Sequence, residues 1–220
     1  MRLSSDVLHL WTIRHQLPAE AGHRADLTDR KQTSSIALSE PTPGRRMKAS
    51  VFVGTSVDGF IARHNGDFDF LPADGGEPHG YDEFMASVDV LVIGRNTYEK
   101  VMTFESWPYA GKRVVVLSSR AIHLPTVRGV AVEVMCGSPA EIMARLEATG
   151  ATHAYIDGGI TVQRFLREGL IQRLVVTCVP VLIGEGIRLF GLLPHDVRLR
   201  HVLTTTYRSG LVKNEYEVLG

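Results

Sequence analysis

The chain has almost no cysteine: 2 in 220 residues, Cys136 and Cys178. They form no CxxC or other ligand spacing, which argues against a disulfide framework or a cysteine-held metal. Both sit in apolar, strand-like contexts and read as buried thiols, so a reducing compartment, the cytoplasm, is expected. Net charge is missing as well. Lys+Arg 24 balances Asp+Glu 24, which leaves no basic field to gather nucleic acid. No run reaches the ~18–20 consecutive apolar residues that a membrane span requires. His64, His79, His123 and His153 are scattered without a ligand spacing such as H-x₃-H, so no metal is expected. Absent too are the G-x-G-x-x-G dinucleotide fingerprint, the Walker A sequence and the G-x-S-x-G elbow. The deaminase zinc motif, H-x-E with P-C-x-x-C, is also missing.

What is present is ordinary in bulk, 44% hydrophobic and 22% charged, as in a soluble globular protein. The length suits one domain with an extension. Residues 1–46 show no sustained period and end in Glu40-Pro41-Thr42-Pro43-Gly44-Arg45-Arg46. They read as a disordered extension, or as a stretch preceding a natural start at Met47. The domain is then expected over 47–220, opening on the alternating strand Met47 to Val53.

From there strand, loop and helix repeat. Ser56 to Pro72 reads as a polar loop, Gly80 to Val88 as a short helix, Asp89 to Gly94 as a strand and Asn96 to Phe104 as a helix. Arg113 to Ser118 and Val130 to Met135 read as strands. Ser138-Pro139-Ala140-Glu141 is a capping box, with Ser as N-cap, Pro at N1 and Glu at N3, and opens a helix to Thr149. His153 to Ile156 and Ile171 to Pro180 are strands on either side of a helix from Ile160 to Glu168. Pro180 to Gly186 reads as a bend. Two last strands, Arg200 to Arg208 and Leu211 to Leu219, flank a Ser209-Gly210 turn. The predicted fold is α/β: a three-layer sandwich with a mixed, mostly parallel central sheet, helices on both faces and a C-terminal antiparallel hairpin.

Three strand ends carry the chemistry. The apolar strand from Val88 runs into Gly94-Arg95-Asn96-Thr97, which sets backbone N–H groups, a guanidinium and a hydroxyl at a helix start. That combination suits an anion, most often a phosphate. Leu117-Ser118-Ser119-Arg120 and Asp157-Gly158-Gly159-Ile160-Thr161 repeat the idea. Arginine offers a bidentate fork, and glycine removes Cβ where a diphosphate must come close.

Taken in order, Ser56-Val57-Asp58-Gly59-Phe60-Ile61-Ala62, Ile93 to Glu99, Val116 to Arg120, Ile156 to Gly159 and Pro180 to Gly186 with Leu189-Phe190 resemble the dihydrofolate reductase-like fold. The nearest branch is the reductase domain of bifunctional riboflavin-biosynthesis enzymes and its stand-alone relatives. The resemblance covers Met47 to Gly220 and implies NADPH as cofactor. It places Gly94, Arg95, Asn96 and Thr97 at the phosphates, and Ser118, Ser119 and Arg120 at the adenosine 2′-phosphate. Gly158 and Gly159, followed by Ile160, Thr161 and Val162, meet the pyrophosphate. Arg95 and Arg120 near one 2′-phosphate would favour NADPH over NADH.

Asp58, Asp157 or ordered water could deliver the proton. Asp58 reads equally as a turn residue before glycine, or as a group that orders the loop over the nicotinamide or contacts substrate. Trp107 and Tyr109 could wall the pocket or simply pack. Folate reductases carry a carboxylate on the first helix; here Gly80 takes that place, which argues against dihydrofolate as substrate. The expected activity is transfer of hydride to a C=N or C=O group of a small heterocyclic or sugar-phosphate substrate, riboflavin-pathway-like or pteridine-like. The alternative is a non-catalytic NADP-binding module that keeps the groove. The resemblance also implies a homodimer.

Overall fold

The computed structural model describes residues 46–72, 79–109, 111–122, 124 and 131–220. The extension up to residue 45, His123 and the start of the strand expected at Val130 lie outside the described residues. Ten strands and four helices follow in the described chain: β1 Lys48–Ser56, β2 Phe60–Ala62, α1 Tyr81–Ala86, β3 Val90–Gly94, α2 Arg95–Val101, β4 Arg113–Leu117, β5 Val132–Met135, α3 Pro139–Ala148, β6 His153–Asp157, α4 Gly159–Arg167, β7 Arg173–Val179, β8 Ile187–Arg188, β9 Arg198–Thr206 and β10 Val212–Leu219.

Eight strands form one sheet in the order β5-β4-β3-β6-β1-β7-β10-β9. The six from β5 to β7 are parallel. β10 then pairs antiparallel with β7 and with β9. Parallel strands have both faces covered, and Val90 to Ile93 and Val114 to Val116 are indeed fully buried. The alternation of side chains sorts the core into two layers. On one face Val51, Val92 and Val115 pack with Ile142 and Leu146 of α3 and Phe165 of α4. On the other, Phe52, Leu91 and Val114 pack with Phe84 of α1 and Tyr98 of α2. The mostly parallel sandwich with a terminal antiparallel hairpin is therefore the observed fold.

Two local readings need correction. The stretch from Ser56 to Pro72 contains a strand: β2 pairs antiparallel with β8 in a separate two-stranded ladder. Three residues are too few to show a period, and the partner is remote in sequence. Cys136 is exposed and Cys178 half-buried, both as free thiols. Cys136 stands just past the end of β5, where the apolar strand no longer covers it.

The capping box forms as read. The Ser138 hydroxyl accepts from the Glu141 N–H at 3.2 Å, and the Glu141 carboxylate accepts from the Ser138 N–H at 2.8 Å. Ser138→Ala leaves that donor at the start of α3 without its partner and is expected to cost about 1 kcal/mol. Urea denaturation should show a lower midpoint with an unchanged slope.

Candidate functional site

The chain order creates a crevice. From β3 the chain passes through α2 to β4 and then β5; α3 carries it back to β6, on the other side of β3. Connections that diverge from neighbouring parallel strands leave open space at the strands' C-terminal ends, where ligands of open α/β sheets bind. The register brings those ends level: Gly94 lies beside Leu117, and Ile93 beside Asp157.

The two turns flanking this crevice interlock. Gly158 has φ 92°, and a Cβ there would stand 2.4 Å from Thr97 Oγ1. A Cβ on Gly94 would stand 2.9 Å from Thr161 Oγ1. Each turn thus fits its threonine into the place that the other's glycine leaves bare. Gly159 is equally confined, because its Cβ would meet Ile187 Cγ2 at 2.9 Å and the Arg188 carbonyl at 3.2 Å. These glycines were expected to make room for a diphosphate; protein packing already demands them.

A cavity of about 400 Å³ opens above the turns. Gly94, Arg95, Asn96, Thr97, Gly158, Gly159, Ile160 and Thr161 all line it. Phe52, Tyr81, Tyr109 and Tyr155 form aromatic walls. A second cleft of about 380 Å³, lined by Ser118, Ser119 and Arg120, adjoins it. Arg95, Leu117 and Arg164 line both spaces. Four inter-strand spacings of ~4.8 Å separate β5 from β1, so the groove crosses about 19 Å of sheet edge. Its cationic end lies over β5 and β4, and its aromatic end over β6 and β1.

One expected residue is not brought there. Val162 is buried in the core, and its N–H donates to the Gly158 carbonyl at 2.9 Å within α4, so neither side chain nor backbone is available. The Ser118 hydroxyl is partly committed: it accepts from the Arg120 N–H at 3.1 Å and donates to the Arg120 carbonyl at 2.8 Å.

Two residues went unread. Arg164 stands three and four residues after Thr161 and Ile160, and Lys100 stands likewise after Thr97 and Asn96. Helical neighbours at those spacings share a face, so continuing each turn along its helix would have found both. No carboxylate lies within ion-pair distance of Arg120 or Arg164 among the described residues. Arg164 donates to the Gly137 carbonyl at 3.2 Å. Arg95 faces Glu99 only at 3.8 Å.

The two candidate carboxylates occupy opposite environments. Asp58 does not line the cavity. Its oxygens accept from the Gly184 N–H at 2.7 Å and the Ile183 N–H at 3.3 Å. The Ser56 hydroxyl, helped by these N–H groups, holds its pKa below the ordinary carboxylate value. Asp58 is therefore an ionised clamp on the loop before β8, not a proton donor. Asp157 does line the cavity, and accepts from the Gly158 N–H at 2.7 Å. Desolvation pushes its carboxyl up to about 6, against that single hydrogen bond. Trp107 misses the cavity but packs edge-on against Tyr109, centroids 5.6 Å apart. On α1, Asp82 and Glu83 are exposed, and Tyr81 is that helix's contribution to the wall.

Residues 48–213 match the model of the RibD C-terminal domain family. The uncharacterized protein YwjB of Bacillus subtilis is 31% identical over 156 residues, which are 70% of this chain and 88% of YwjB. The crystal structure of a candidate riboflavin biosynthesis protein from Shewanella sp. PV-4 superposes with a TM-score of 0.73 at 36% identity, over 79% of this chain and 100% of that one. The fold is shared with dihydrofolate reductase from Enterococcus faecalis complexed with NADP(H), at 18% identity and a TM-score of 0.53, over 79% of this chain and 95% of that one. No helix among the described residues is long and apolar enough to cross a membrane.

A carboxyl held at about 6 in the folded chain, against 3.8 ordinarily, keeps its proton where the unfolded chain has lost it. Its contribution to stability is full below about pH 4 and is lost as pH rises through 6. Asp157→Asn keeps the acceptor for Gly158 and removes the charge. The variant should melt higher than the parent at pH 8, by ~2–4 °C for each kcal/mol released. The two melting curves should converge near pH 4.

Proposed function

The chain belongs to the RibD C-terminal domain family, and from that premise we propose that it is an NADPH-dependent reductase acting on a C=N or C=O group of a small substrate. The family is one of reductases of the riboflavin-pathway type, and residues 47–220 serve as its reductase domain. The observation that carries the proposal is the single groove that changes from cationic to aromatic along its length. Arg95 and Arg164 stand where the two halves meet. An extended dinucleotide with a charged end and a flat, reactive end has that same polarity.

The donor set fits the group. Arg120 and Ser119 would take the 2′-phosphate in the second cleft, with Arg95 and Arg164 reaching it from the shared wall. Guanidinium forks without tight carboxylate partners are free to take phosphate oxygens bidentately. Backbone N–H groups at the start of α4 would hold the pyrophosphate. NADPH supplies a hydride from C4 of its nicotinamide, which the chain itself cannot supply.

The chain's own part is placement and proton handling. Tyr81, Tyr109 and Tyr155 exclude water from the aromatic end. The Tyr155 hydroxyl is spent on the Phe52 carbonyl at 2.8 Å, which fixes its ring as a wall. Asp157, with a pKa of about 6, is near the value at which a carboxyl can both hold and release a proton at neutral pH. In this reading Asp157 would protonate the substrate atom beside the carbon that receives hydride.

Titration of the chain with NADPH and with NADH, followed by tryptophan fluorescence or thermal shift, tests the reading. NADPH should bind the tighter. Arg164→Ala and Arg95→Ala should each weaken NADPH ~10- to 100-fold, the range for a charged hydrogen bond, and NADH far less. Equal loss for both nucleotides would place these residues on the pyrophosphate or in a structural role. No response to either nucleotide would remove the proposal.

A further inference from the structure

Resting on the reductase reading, we propose that the substrate is a flat nitrogen heterocycle that carries no phosphate, held between the tyrosine walls and Asp157. Family likeness leaves a sugar phosphate as an equal expectation; the charges around the cavity separate the two.

The cavity's cations are Arg95, Lys100 and Arg164 among the described residues. Arg95 and Arg164 belong to the boundary with the second cleft, where the nucleotide phosphates are expected. Lys100 alone remains for a substrate. Its ammonium lies 2.6 Å from the Asp67 carboxylate and 5.7 Å from the centre of the Phe68 ring. It is therefore already neutralised.

The aromatic end instead offers a carboxyl without a cationic partner. Asp157 accepts one backbone hydrogen bond, and no ion pair forms to it among the described residues. A phosphate monoester carries about −1.5 to −2 charges near neutrality. With the nucleotide on Arg95 and Arg164, it would meet a carboxylate in a partly dry site and no unpaired cation among the described residues, the arrangement that burial of charge penalises most. A heterocycle bearing ring N–H groups meets the opposite situation. Its faces stack on Tyr81 and Tyr109, and its N–H donates to Asp157.

The test uses the full chain loaded with NADP⁺ and isothermal titration with matched probes. These are 6-hydroxymethylpterin and 5-aminouridine, each beside its own phosphate monoester. At least one phosphate-free probe should bind, and tenfold or more tighter than its phosphate. Asp67→Asn, a substitution on an exposed loop, frees Lys100 and should narrow that ratio at least threefold. Equal or tighter binding of the phosphates by the parent chain overturns the proposal. So does failure of both phosphate-free probes, or an unchanged ratio in Asp67→Asn. NADP⁺ loading is titrated separately: if it fails, the reductase reading falls and the assignment of Arg95 and Arg164 to the nucleotide, on which this proposal rests, falls with it; if it succeeds, the ratio alone decides the substrate's charge.

Discussion

The reciprocal fit of two turns, Gly158 against Thr97 and Gly94 against Thr161, is the constraint on which the site depends. With hypothetical Cβ positions against Thr97 Oγ1 and Thr161 Oγ1, neither glycine can gain a carbon unless the facing threonine rotates or the turns separate. The turns sit on different strands, β3 and β6, and launch different helices. Arg95 and Lys100 ride on one of those helices, and Arg164 on the other. A few tenths of an ångström between the turns would therefore displace the cations of one wall from those of the other. The contact crosses the crevice itself, so the element that closes the fold at this point also sets the width of the groove.

Along the groove the electrostatics run in one direction. The end over β4 and β5 gathers guanidinium groups with a loose carboxylate partner, or none among the described residues. The end over β6 and β1 holds aromatic rings and one carboxyl whose pKa desolvation raises to about 6. Asp58, only one loop away in function, shows how completely surroundings decide a carboxyl's role. Given a hydroxyl and two N–H groups it stays ionised and ties the loop at Ile183-Gly184 to the end of β1. That tie holds β8 near β2, and Ile187 of β8 in turn packs against Gly159. Asp58 acts on the site through this chain of contacts and not by touching it.

The strand ends were legible because glycine, arginine and small polar residues after an apolar run leave a local mark. The capping box of α3 was legible for the same reason, as it spans four consecutive residues. What escaped was set by distance. The β2–β8 ladder joins segments far apart in sequence, and each is too short to show a period. Val162 matched its motif by position, yet helix geometry turned its side chain into the core and used its N–H internally. Asp58 and Asp157 look alike in sequence, both preceding glycine; their hydrogen-bond partners and desolvation, set by remote segments, separate them. Arg164 and Lys100 could have been found by following helical periodicity one turn past each motif.

The position of the acid gives the site its particular logic. Resemblance to folate reductases pointed to the first helix for a carboxylate, and α1 supplies a tyrosine instead. Here the acid ends β6 and donates its backbone directly into the Gly158-Gly159 turn. Asp157 is tied to the turn, since its own carboxylate accepts the N–H of the next residue. In the proposed reaction the turn that cradles the cofactor and the group that donates the proton are thus consecutive residues of one rigid segment. Hydride and proton would then reach the substrate from positions fixed relative to each other, and precision at the site would rest on the same packed glycine that holds the two halves of the crevice together.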